Sequence, residues 1–268
     1  MVFYDFQICG LLFRVEAARA LTVPDNFRPF ALNENAAAEP DLRLQILFGA
    51  PPANAVAAER FYWQEGEYIV RQEPGEAGEP IRLYIPESFA DTFCRQGNWL
   101  LYLAPERLLQ SFDRLILHAS AVLYQGKAYL FSAPSGGGKS THAALWQTHY
   151  GAKVLNGDKV VIHVTDGGCT AYGSPVAGSS GIYENEGAPV AAVFMLNKAA
   201  HNRLAPLTKR SALLALYSEA IKCAADPAFN TRLLDLLQML LSAVPVLSLE
   251  CLPEKGAVDC ILSNLREG

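Results

Sequence analysis

The sequence predicts a chain of mixed α+β and α/β class, a β-rich N-terminal domain over residues 1–111 followed by a phosphate-loop domain over 112–268. Three observations carry this expectation. Short runs of β-branched and aromatic residues, broken by Pro, Gly and Asn, fill the first part of the chain. From about Phe112 strands begin to alternate with amphipathic helices. Between one such strand and helix stands Phe131-Ser132-Ala133-Pro134-Ser135-Gly136-Gly137-Gly138-Lys139-Ser140-Thr141, a glycine-rich turn that ends in Gly-Lys-Ser.

Taken in order, the strands expected in the first domain lie at Phe3 to Val15, Leu42 to Phe48, Phe61 to Val70, Ile81 to Ile85 and Trp99 to Leu103, and they read as an antiparallel region. Gln72 to Pro80 is a polar turn; Asn33 to Pro40 and Ala50 to Ala58 are loops or a short helix. In the second domain Leu115 to Tyr124 and Lys127 to Ser132 meet at the Gln125-Gly126 turn. A helix then runs from Lys139 to His149 and stops at Gly151. More sheet follows at Lys153 to Leu155, Lys159 to Val164 and Cys169 to Tyr172, and Ala191 to Leu196 is a wholly apolar strand, as a strand buried on both faces requires. Leu213, Leu214, Tyr217 and Ile221 share one face of a helix over Ser211 to Ala224. Asp226-Pro227 caps another helix, reaching about Ser242; Pro245 to Glu250 is a strand and Ala257 to Leu265 a last helix.

Composition bounds the function. With 268 residues, 51% of them hydrophobic and 10% aromatic, the chain buries a substantial core. Its net charge of −5 argues against nonspecific binding to nucleic acid or to an anionic membrane, both of which need a basic surface. The six cysteines are scattered, without Cys-x-x-Cys pairs or zinc-finger spacing, and read as reduced thiols. Asp5 and Glu16 interrupt the apolar start of the chain, so a cytoplasmic protein is expected. Asp235, Gln238 and Pro245 likewise make Leu233 to Leu249 a buried helix and strand rather than a membrane span.

The glycine-rich turn reads as a P-loop, or Walker A motif, that binds a nucleoside triphosphate. Its glycines let backbone N–H groups close around an anion at the start of a helix, where the helix dipole adds positive potential. Ser135, Gly136, Gly137, Gly138, Lys139, Ser140 and Thr141 form this nucleotide site, with Lys139 reaching the terminal phosphates and Ser140 holding Mg²⁺. Ala133 stands where the usual pattern begins with glycine. Asp158, 19 residues after Lys139, is placed to meet Mg²⁺ or to accept a proton from an attacking hydroxyl. Because Asn156-Gly157 is a strong hairpin dipeptide, Asp158 reads equally well as the end of a turn. His118 sits within the apolar strand Leu115 to Val122, where an imidazole is costly unless hydrogen-bonded, and a satisfied core residue is the simpler account of it. His142, His149, His163 and His201 show no ligand spacing and receive no chemical role.

The order of Leu117-His118-Ala119-Ser120-Ala121-Val122, then Pro134-Ser135-Gly136-Gly137-Gly138-Lys139-Ser140, then Val154-Leu155-Asn156-Gly157-Asp158-Lys159-Val160 resembles the catalytic domain of HPr kinase/phosphorylase. It is more similar still to the shorter relatives associated with peptide modification, such as kinases of lasso-peptide precursors. The resemblance is close over Leu115 to Ile162 and loose elsewhere. It implies a P-loop variant related to phosphoenolpyruvate carboxykinase, ATP or another nucleoside triphosphate with Mg²⁺, and phosphate transfer to a serine hydroxyl of a peptide or protein.

By position, the resemblance makes Lys139, Asp158 and His118 catalytic, with His118 the strand histidine close to the phosphates, and Ser140 and Asp158 metal ligands. Gly157 replaces the first member of the family's Asp-Asp pair, leaving one carboxylate for two tasks, and the Glu-x-x-Gly signature of HPr kinase itself is missing. Glu184 or Glu186 offers a second metal contact, although a loop glutamate is ordinarily just solvated. A GTPase is disfavoured because Asn197-Lys198-Ala199-Ala200 lacks the base-reading aspartate, and a transporter-type ATPase because no Leu-Ser-Gly-Gly-Gln is present. The alternative from another class is a nucleotide-binding sensor or scaffold without kinase activity; a small-metabolite kinase comes third, and assembly into a homo-oligomer stays open.

Overall fold

The computed structural model describes all residues except 33–37, 54–57, 65, 75–77, 97–101, 103, 177–179, 183, 224–225 and 267–268. Its contacts divide the chain into two units, Met1–Pro105 and Glu106–Gly268. Two mixed sheets and six α-helices make it a mixed α+β protein among the described residues.

In the first unit the strands are β1 (Val2–Ile8), β2 (Leu11–Ala17), β3 (Leu42–Phe48), β4 (Ala58–Gln64), β5 (Glu67–Gln72) and β6 (Ile81–Ile85). They lie in the order β1-β2-β3-β6-β5-β4. The expectation of an antiparallel region needs correction, because β3 runs parallel to both β2 and β6. Long connections, residues 18–41 and 49–80, let the chain cross over before it pairs, which short turns cannot do. Phe6, Phe27, Phe30, Leu44, Ile46, Leu83 and Phe93 pack the core of this unit. Asp5 and Arg14, opposite each other on β1 and β2, join at 2.7 Å. Helix α1 (Ala90–Gln96), for which the sequence shows no plain signal, follows β6. The expected strand Trp99 to Leu103 falls outside the described residues apart from Tyr102, and the loops at Asn33 to Pro40, Ala50 to Ala58 and Gln72 to Pro80 are described only in part.

Helix α2 (Pro105–Gln110) leads into the second unit, where Gln110 Nε2 donates to the Phe229 carbonyl at 3.0 Å. Then come β7 (Arg114–Tyr124), β8 (Lys127–Ser132), α3 (Lys139–Tyr150), β9 (Lys153–Asn156), β10 (Lys159–Thr165), β11 (Gly168–Tyr172), β12 (Gly187–Lys198), β13 (Arg203–Pro206), α4 (Lys209–Glu219), α5 (Pro227–Ala243), β14 (Val246–Cys251) and α6 (Lys255–Arg266). The sheet order is β11-β10-β7-β8-β12-β14-β13, with β9 beside β7. β12 is parallel to β8 and β14, and its first residues also pair with β11, so β10, β7, β8, β12 and β11 form a closed ring of pairings.

Helices cover both faces of this sheet. Leu115, Leu117, Ala119 and Ala121 of β7 pack with Leu216 of α4 and Leu233, Leu236, Leu237 and Leu240 of α5. Phe131 of β8 and Phe194 of β12 pack with Trp146 of α3 and Val258 and Ile261 of α6. Val193 and Met195 join the first cluster, Ala192, Phe194 and Leu196 the second, which is why this strand is apolar throughout. Asp226 caps α5, accepting from the Phe229 N–H at 3.0 Å.

Two corrections in this unit shape the site. The helix expected over Ser211 to Ala224 ends at Glu219, and Ala220 is extended. Ala220 bridges Leu117 and Ile221 N–H donates to the Ile116 carbonyl at 2.9 Å. β8 pairs with β7 only from Ala119 onward, so the first half of β7 needs another partner along that edge. Nor do Asn156 and Gly157 make a hairpin. The chain runs on along β7, with Asn156 opposite Ala121 and Lys159 opposite His118. Asn156 Oδ1 accepts from the N–H groups of both Asp158 and Lys159 at 2.9 Å, a local kink that interrupts the ladder.

Candidate functional site

The loop between β8 and α3 owes its shape to glycine. Gly136 and Gly138 hold φ of 74° and 101°, which an L side chain resists, and a Cβ at Gly137 would come within 2.5 Å of the Ala133 Cβ. No side chain caps α3 at Gly138, so its first N–H groups carry no capping acceptor. Ala133, at the position where the usual pattern has glycine, is buried against this turn. Two buried hydroxyls fasten the loop to the sheet. Ser120 Oγ donates to the Lys139 carbonyl at 2.9 Å, and Ser132 Oγ to the His118 carbonyl at 2.8 Å.

A cleft of about 270 Å³ opens beside the loop, lined by Ser135 through Thr141 together with His118, Gly157, Asp158 and Ser180. His118, Asp158 and the whole expected loop from Ser135 to Thr141 therefore line one cleft. Lys139 is buried and donates from Nζ to the carbonyls of Ala133 at 2.8 Å and Pro134 at 3.3 Å. Burial lowers its pKa, while the nearby Asp158 and Glu219 carboxylates oppose that shift.

His118 is not an idle core residue. Its Nε2 lies 3.0 Å from Asp158 Oδ1, and its Nδ1 lies 3.3 Å from Glu219 Oε2. An imidazole with a carboxylate at each nitrogen holds both in fixed orientation, donating to both when it is doubly protonated and to one when it is not. Sequence reasoning missed Glu219. Its only local signal is a polar residue at the end of a helix; the turn of Ala220 and Ile221 onto β7 brings it to the site. Glu184 and Glu186 stand elsewhere, both paired with Lys153 at 2.8 and 2.9 Å, and neither lines the cleft.

Gly157 is packed against Ser180. A Cβ there would meet the Ser180 Cβ at 2.4 Å and its Oγ at 2.7 Å, so an aspartate at this position would require that loop to move. Among the described residues no group of three or more His, Cys, Asp and Glu is arranged to hold a metal ion unaided. Ser140 and Asp158, which both line the cleft, are the oxygen donors there that could hold Mg²⁺ arriving with phosphate oxygens, since this cation ordinarily takes one or two protein oxygens and fills its remaining positions with phosphate and water.

No protein-family model matches the chain, and no curated protein matches it either. None of the described helices is long and apolar enough to cross a membrane.

His142, on the first turns of α3, is 3% exposed and stacks on Phe131 with ring centroids 4.3 Å apart. Burial lowers its pKa from 6.5 to about 4. The unfolded chain therefore binds a proton that the folded one excludes between those values. The stabilisation is complete above pH 6.5 and is lost as pH falls towards 4, by about 3 kcal/mol in all. Urea denaturation across that range should show the loss in the wild type, and His142→Phe should flatten this part of the profile; an unchanged slope would assign it to other groups.

Proposed function

We propose that this chain is an ATP- and Mg²⁺-dependent phosphotransferase that phosphorylates a serine-type hydroxyl of a peptide or protein, in the manner of the HPr kinase-like P-loop enzymes it resembles. The observation that carries this reading is a single cleft with the glycine loop and Lys139 on one side and Asp158, oriented by His118, on the other. A phosphate cradle alone binds nucleotide; a carboxylate facing it adds what transfer needs, a group that orients and deprotonates the acceptor.

In the transfer, the acceptor oxygen forms a bond to the terminal phosphorus as the bond to the ADP oxygen breaks. Asp158 takes the hydroxyl proton. His118 and Glu219 hold Asp158 in place, and Lys139 with the loop N–H groups stabilises charge on the phosphoryl oxygens. Mg²⁺ held by Ser140 and Asp158 would neutralise part of the phosphate charge.

The competing reading, a nucleotide sensor or scaffold, draws its support from Gly157, which stands where the resemblance expects a second aspartate and is packed against Ser180. Incubation with terminally labelled ATP, Mg²⁺ and an extract of the source cells separates the two. A labelled peptide or protein made by the wild type and not by Lys139→Ala is expected. Nucleotide-dependent thermal stabilisation with no labelled acceptor and no ATP turnover would favour the sensor.

A further inference from the structure

Among the described residues, the cleft holds one side-chain hydroxyl that the glycine loop does not supply. Ser135, Ser140 and Thr141 belong to the loop and its helix, where the phosphates would be cradled, whereas Ser180 comes from the segment between β11 and β12. It reaches the cleft beside Gly157, the residue that precedes Asp158. Its place there depends on glycine. An added Cβ at Gly157 would fall 2.4 Å from the Ser180 Cβ and 2.7 Å from its Oγ, so Ser180 fills the space that a side chain at 157 would take. Ser180 Oγ accepts the Ile182 N–H at 3.4 Å, a long bond that does not use the hydroxyl proton.

A hydroxyl becomes a phosphate acceptor when it stands between a held phosphoryl group and a carboxylate that can take its proton. Ser180 shares one cleft with both, the loop and Lys139 on one side and Asp158, held by His118 at 3.0 Å, on the other. We propose that Ser180 is a self-phosphorylation site, to which the chain transfers the terminal phosphoryl group of a nucleoside triphosphate bound with Mg²⁺ in its own cleft. This rests on the phosphotransferase reading given above. Ser180 Oγ forms a bond to the terminal phosphorus. The bond from that phosphorus to the bridging oxygen breaks, its electron pair leaves on the nucleoside diphosphate, and the hydroxyl proton passes to Asp158.

Incubation of the purified wild type with terminally labelled ATP and Mg²⁺, in the absence of any extract, tests this. Intact mass and peptide mapping should show one phosphoryl group per chain, on Ser180. Its rate of appearance per chain should not depend on protein concentration, as transfer within one molecule requires. Ser180→Ala should lose the label, and Asp158→Asn should slow its appearance by about 10²–10⁴-fold. Gly157→Ala, whose Cβ would displace Ser180, should lose it as well, and nucleotide-dependent thermal stabilisation shows that each variant is folded and loaded. A wild type without phosphate on Ser180, a label on another residue, or a rate per chain that rises with protein concentration overturns self-phosphorylation within the chain. If an acceptor in the cell extract is still labelled, the kinase reading stands without it. If no acceptor is labelled and no ATP is turned over, that reading falls too.

Discussion

Lys139→Ala should reduce the proposed phosphoryl transfer by about 10²–10³-fold, the usual cost of removing one preorganised charge donor from a transition state. Lys139 is the cation of the glycine loop, it is buried, and its ammonium already rests on the carbonyls of Ala133 and Pro134 at the edge of the cleft. Substitution frees those carbonyls to water and removes little packing, because the loop is held by Ser120 and by its own glycines. The variant should therefore unfold within a few degrees of the wild type while failing to transfer. Rates of acceptor labelling and a thermal melt check the two halves of the expectation. Transfer at the wild-type rate would remove Lys139 from the mechanism and, with it, the phosphate-loop reading.

Asp158→Asn should lower the proposed transfer rate by about 10²–10⁴-fold, the range for loss of a general base, and leave nucleotide affinity within a few-fold. Asparagine keeps the size of the side chain and its backbone contacts with Asn156 and Ala119, so the kink between β9 and β10 persists. It cannot take the acceptor proton. Glu219→Gln, which alters a residue one imidazole further away, should cost less, about tenfold, and should act only while His118 is present. Single-turnover kinetics at saturating nucleotide measures these effects apart from binding. An unchanged rate in Asp158→Asn would return the residue to a structural role in the strand. Equal losses in His118→Ala and in the combined Glu219→Gln, His118→Ala variant would support a single relay through the ring.

Much of the second unit was legible from local patterns. The Gln125-Gly126 hairpin, the helix that opens at Lys139 and stops at Gly151, and the Asp226-Pro227 start of α5 are all written in residues adjacent in sequence. Turn chemistry, caps and periodicity act over a few residues, so the sequence exposes them directly. β13 was not foreseen, since Arg203 to Pro206 has neither the length nor the alternation of a strand and is held by pairing with β14. The Asn156-Gly157 dipeptide misled for the same reason, because the edge of β7 offered Asn156 and Lys159 partners that outweighed the hairpin tendency.

The sequence by itself determined the glycine loop, the lysine within it, and the presence of a strand histidine and one aspartate among the residues around it. That Glu219 meets His118, that both ring nitrogens of His142 are buried without a partner on another residue, and that β3 runs parallel to its neighbours came only from the three-dimensional arrangement. The physical reason is the range of the forces. Backbone conformation answers to neighbours along the chain, whereas partners of buried polar groups are chosen by where the sheet edges and helix ends come to lie.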